Sequence, residues 1–74
     1  MVTDEKWQAR AKQLLKAALK KEGVSYKQLA EKLAKIGVAE TEANIANKIS
    51  RGGFSAVFLI QCLDAIGCRN FHLD

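Results

Sequence analysis

A chain of 74 residues has room for one domain, and an apolar content of 49% without a single proline excludes disorder and favours a small helical bundle. Two cysteines and one histidine exclude a disulfide framework and a zinc site and leave little catalytic material, and no apolar run nears the roughly 18–20 residues of a membrane helix. The net charge of +4 is uneven: residues 1–37 carry 9 basic and 4 acidic side chains and residues 38–74 carry 3 and 4, a distribution that suits a polyanion such as nucleic acid.

Start and stop signals predict four helices. The first runs from about Asp4 to Glu22, with Thr3 as N-cap and Asp4 and Glu5 at the positive end of the helix dipole. Trp7, Ala11, Leu14, Leu15, Ala18 and Leu19 recur at helical spacing as its apolar face, with Trp7 most simply a cap on the core, or a dimer contact if it is exposed. Lys6, Arg10, Lys12, Lys16 and Lys20 fall on the other side and read as a solvated face. Gly23 supplies the stop.

The second helix opens at Ser25, three residues before Gln28, the spacing of a capping box. Val24 is expected to staple onto Leu29. Leu29, Ala30, Leu33, Ala34 and Ile36 form the buried side, and Gly37 ends the helix. The third begins at Thr41, another good N-cap, and runs to about Ser50 with Ile45 and Ile49 as its large apolar anchors. It is otherwise polar, so its outer face is available. Gly52 and Gly53 stop it.

The fourth helix runs from Ser55 to about Ile66. Only Gln61 and Asp64 break its apolar character, which predicts a central buried element or a partner contact. Gly67 closes it. The tail alternates Phe71, His72 and Leu73 and is expected to dock as an extended strand. Cys62 reads as a small core hydrophobe, Cys68 as partly exposed, and His72 as packing rather than as a ligand. With reduced thiols and a polar, acidic start from Met1 to Glu5, a cytoplasmic setting is expected. Nothing points to a cofactor, a membrane or a small-molecule substrate.

Two short helices joined by a tight connection within a bundle are the layout of a helix-turn-helix. Gln28-Leu29-Ala30-Glu31-Lys32-Leu33 reads as the first helix of such a motif, with the small Ala30 allowing a close crossing. Ile45 and Ile49 hold the second, Ile49-Ser50-Arg51-Gly52 marks its end, and Phe58, Leu59, Leu63 and Ile66 pack beneath it. On these residues, together with Leu14–Gly23 and Leu59–Gly67, the chain resembles the lambda repressor-like (Cro/C1 or XRE type) DNA-binding domains over roughly residues 12–68. It is also similar to a family of small uncharacterised bacterial proteins that share Lys48-Ile49-Ser50-Arg51-Gly52, Phe54-Ser55 and Cys62-Leu63-Asp64-Ala65-Ile66-Gly67. The turn departs from the usual pattern. Gly37 stands seven residues after Ala30 rather than four, so the stretch from Ala34 to Glu40 extends the helix by about a turn and lengthens the connection.

The resemblance implies an all-α bundle of four to five helices, lambda repressor-like, that binds double-stranded DNA without catalysis in transcriptional control. It lays the helix at about 41–51 in the major groove. Thr41, Glu42, Asn44, Asn47 and Lys48 would then contact bases, the asparagines pairing with adenine edges and Glu42 with cytosine, while Lys48 and Arg51 can reach guanine or a phosphate. Ser25, Lys27, Gln28, Lys32, Lys35 and Arg51 would contact phosphates. Reading a palindrome would take a homodimer. The rival reading is a helical protein-interaction module, favoured by the neutral third helix and the apolar fourth.

Overall fold

The computed structural model describes residues 4–68, so the expectations placed on Thr3 and on Phe71, His72 and Leu73 lie outside the described residues. The fold is all-α. Its elements are α1 (Asp4–Glu22), α2 (Tyr26–Lys35), α3 (Glu42–Arg51) and α4 (Ala56–Ala65), with no strand among the described residues.

Each of the three short helices starts on a hydroxyl that takes up a backbone N–H left without an intrahelical partner. Ser25 Oγ accepts from the Gln28 N–H at 3.2 Å, and the Ser25 N–H donates back to Gln28 Oε1 at 2.9 Å, which completes the capping box. Thr41 Oγ1 accepts from the Asn44 N–H at 3.0 Å, and Ser55 Oγ from the Phe58 N–H at 3.1 Å. The exit from α2 is a Schellman turn. The Val38 N–H donates to the Leu33 carbonyl at 2.9 Å and the Gly37 N–H to the Ala34 carbonyl at 3.1 Å, with Gly37 at φ 85°. The same pair of bonds closes α1 at Gly23–Val24 and α4 at Gly67–Cys68.

The core is one cluster. Leu15, Ala18 and Leu19 of α1 meet Leu29 and Leu33 of α2, Ile45 and Ile49 of α3, and Phe58 and Cys62 of α4, with Ile66 just beyond. α2 packs on both α3 and α4, while α1 packs mainly on α3 and less on α4. The expected anchors Ile45 and Ile49 are both fully buried. Val24 and Val38 pack against the cluster from the two connections.

Several apolar side chains depart from expectation. Ala34 is exposed rather than on the buried side of α2. Val57 and Ile60 are exposed, so α4 is buried along one face and not all round. Trp7 does not cap the core: it is 55% exposed. The α1 stripe that faces α3 carries Gln8, whose backbone meets Gly52, and Lys12, whose ammonium donates to the Ser50 carbonyl at 3.4 Å. Leu15 and Leu19 continue that stripe, and Trp7 lies round the helix from it. Ile36 was expected on the inner face of α2, but α2 ends at Lys35, and Ile36 is the C-cap and 44% exposed. The helical period no longer governs its direction once the Schellman turn begins.

Gly52 holds more than the end of α3. It is left-handed at φ 71°, and a Cβ there would lie 2.9 Å from the Gln8 carbonyl carbon and closer still to its oxygen. The backbone of α1 therefore rests directly on the C-cap of α3. Gly37 is also left-handed, at φ 85°, but a Cβ there meets nothing within 4 Å. Gly37→Ala should cost about 1–2 kcal/mol, from the conformation alone. Gly52→Ala should add an overpacking cost of about 1–3 kcal/mol, because α1 must move. Thermal melts of the two variants compare them; equal losses would mean that α1 does not bear on Gly52.

Candidate nucleic-acid interface

α3 is two-sided. Ile45 and Ile49, four residues apart, seat it on the core. Asn44, Asn47 and Arg51, at i, i+3 and i+7, lie across the helix from them and are exposed. Thr41 and Glu42 are exposed at its N-terminus, where Thr41 spends its hydroxyl oxygen on the cap. Helix geometry alone thus puts two amide side chains and a guanidinium on one outward stripe.

Lys48 departs from the outward reach expected of it. Its ammonium pairs with the Glu40 carboxylate and sits over the Phe58 ring, 4.8 Å from the centroid. Glu40 belongs to the connection between α2 and α3, and its side chain is only 9% exposed. One side of α3 is thereby tied to its own N-terminal connection and to the start of α4. The local charge of Lys48 is largely cancelled.

Lys48 and Arg51 come together at a cavity of about 270 Å³ that is completed by Gly53, Phe54, Ser55 and Phe58. The two rings there meet edge to face, with centroids 5.7 Å apart.

On α2, Ser25, Lys27, Gln28 and Lys35 are exposed and Lys32 is half-buried. Gln28, Lys32 and Lys35 share a stripe at i, i+4 and i+7. Gln28 gives its carbonyl oxygen to the capping box, which leaves its amide N–H groups for an outside acceptor.

Lys6, Arg10, Lys16 and Lys20 of α1 are exposed, as a solvated face requires, and Lys12 is half-buried. Lys16 and Lys20 line a cavity of about 290 Å³ together with Leu19, Val24, Ser25 and Tyr26, and so flank the N-terminus of α2. Lys12 reaches the last turn of α3. Spacing within α1 could not have revealed this, because it follows from how α1 crosses the other helices.

Beneath Lys48 lies Cys62, fully buried. Burial pushes its thiol from 9.0 up to about 12; the Glu40 charge adds to the rise and the Lys48 charge opposes it. No group of metal-ligating side chains occurs among the described residues. No helix among them is long and apolar enough to cross a membrane. In a Cys68→Ser variant, which isolates Cys62, the raised pKa alone should cut the thiolate fraction at pH 8 about a thousandfold. Alkylation followed by mass spectrometry should therefore show Cys62 resistant in the native protein and reactive in denaturant. Prompt native labelling would contradict its placement.

No curated protein and no solved structure matches the chain. Residues 7–71 match one family model, which covers all four helices from Trp7 onward, and the chain belongs to the family described as Domain of unknown function (DUF6471).

Proposed function

We propose that this protein is a non-catalytic, lambda repressor-like helix-turn-helix domain that binds double-stranded DNA, with α2 and α3 as the motif and α3 in the major groove. The observation that carries the reading is the two-sidedness of α3: Ile45 and Ile49 are fully buried while Asn44, Asn47 and Arg51 stand outward on one stripe. A helix held by one edge, with amide and guanidinium groups on the other, has the chemistry of base readout. Asn44 and Asn47 pair with adenine edges, and Arg51 takes guanine or a phosphate. Lys48 is assigned to positioning α3 rather than to a base, because Glu40 and Phe58 hold it.

Phosphate binding falls to the N-terminus of α2 and the lysines around it. Ser25 and Gln28 sit at the positive end of that helix. Lys27, Lys32 and Lys35 lie along it, with Lys16 and Lys20 of α1 beside Ser25. This cluster compensates for a reading helix whose own charges nearly cancel.

The test is a binding titration on random and on selected duplex DNA at several salt concentrations. Four phosphate contacts would give a log–log salt slope of roughly −3 to −4. Neutralising Lys27, Lys32 and Lys35 together should weaken binding on every sequence and flatten that slope. Replacing Asn44 and Asn47 by alanine should keep non-specific binding and lose about 1–3 kcal/mol of discrimination per adenine contact. Absence of binding at low salt would overturn the reading, and a double variant as selective as the parent would remove the asparagines as readers.

A further inference from the structure

α4 buries Phe58 and Cys62 inward and leaves Val57 and Ile60 63% and 65% exposed, the two most exposed large apolar side chains among the described residues. Val57, Ile60 and Asp64 follow at i, i+3 and i+7 on one stripe. Beside them runs an open groove of about 380 Å³ lined by Ile60, Leu63, Asp64, Gly67 and Cys68. A ridge at the start of the helix thus gives way to a groove at its end, where Gly67 contributes no side chain.

We infer that this face binds a second copy of the chain, with the two α4 helices antiparallel about a two-fold axis. Antiparallel pairing lays the ridge of each copy along the groove of the other. Val57 falls opposite Gly67 of the second copy and Ile60 opposite its Asp64. Both pairings are centred on residue 62, so one axis satisfies them, as an isologous contact requires. Charge selects the same face. The stretch Gly53–Cys68 holds no lysine or arginine and one carboxylate, Asp64, in a chain that carries 12 basic residues. Two copies meeting along this stretch bring none of its own cations against each other.

Ten-residue helices overlap over only about 15 Å, which gives an interface at the small, transient end of the range. The dimer is therefore concentration-dependent. It does not depend on the DNA-binding reading, and it would hold for a protein that binds no DNA.

Sedimentation equilibrium of the full chain in about 0.15 M salt, from ~10 µM to ~2 mM, is the test, and the parent should pass from monomer to dimer within that range. Ile60→Glu sets a carboxylate against Asp64 of the second copy and should shift the midpoint at least about tenfold upward. Ile60→Lys faces the same Asp64 with an ammonium and should stay within about threefold of the parent. Residue 60 is mostly exposed, so both variants should melt like the parent, and circular dichroism verifies this. A parent that is monomeric at the highest concentration overturns the proposal and leaves the face to the chain's own tail or to a foreign partner. An Ile60→Glu variant that associates like the parent also overturns it. Equal loss in both variants overturns the antiparallel register.

Discussion

The burial of Ile45 and Ile49 is the contact on which the arrangement of this domain turns. A ten-residue helix is too short to persist alone in water, so α3 exists because its neighbours hold it. Full burial of each isoleucine contributes about 1.5–3 kcal/mol, a large share of the few kcal/mol a domain this small has to spare. Three further contacts fix the same helix. The backbone of α1 rests on Gly52, Lys12 reaches the Ser50 carbonyl, and Glu40 draws Lys48 over Phe58. All of these act on the inner edge, the ends or one flank. Asn44, Asn47 and Arg51 stand exposed on the opposite stripe, away from these contacts.

Much of the fold was legible in the sequence because its punctuation is local. Ser25 with Gln28, Thr41 and Ser55 each cap a helix within three residues of themselves, and the glycines that follow each helix stop it. Such signals need no knowledge of the rest of the chain. The buried anchors Leu15, Leu29, Leu33, Ile45 and Ile49 were legible for the same reason, through their periodicity. Trp7 and Ile36 were misplaced because periodicity names an apolar stripe but does not say where that stripe ends or which edge the neighbouring helix touches. The supporting shell of the candidate site was not legible at all. Glu40 and Lys48 are eight residues apart, Lys12 and Ser50 thirty-eight, and Gln8 and Gly52 further still. Only the crossing of the helices brings them together, and one chain read linearly holds no signal for it.

The charge pattern takes on a different meaning once the helices are assembled. In sequence, α3 is neutral, which weakens it as a reader of a polyanion. In space, Lys48 is committed to Glu40, and the N-terminus of α2 is flanked by Lys16 and Lys20 from α1. In the proposed reading, the lysines around α2 would supply attraction to phosphate and the polar α3 the hydrogen-bonding side chains. α4 has the opposite character, with cation-free apolar side chains facing out. The polar and the apolar exposed side chains therefore lie on different helices, so the two proposed contacts draw on different residues.

Titration of the isotope-labelled protein with duplex DNA, followed by amide chemical shifts, tests whether α3, held by its inner edge, reads DNA with its outer stripe. If α3 is the reading helix, the largest changes fall at Asn44, Asn47 and Arg51, with a second group at Ser25–Gln28 and the neighbouring lysines, while Val57 and Ile60 on α4 stay unmoved. Changes centred on α4 with α3 silent, or no change anywhere at low salt, would contradict that reading.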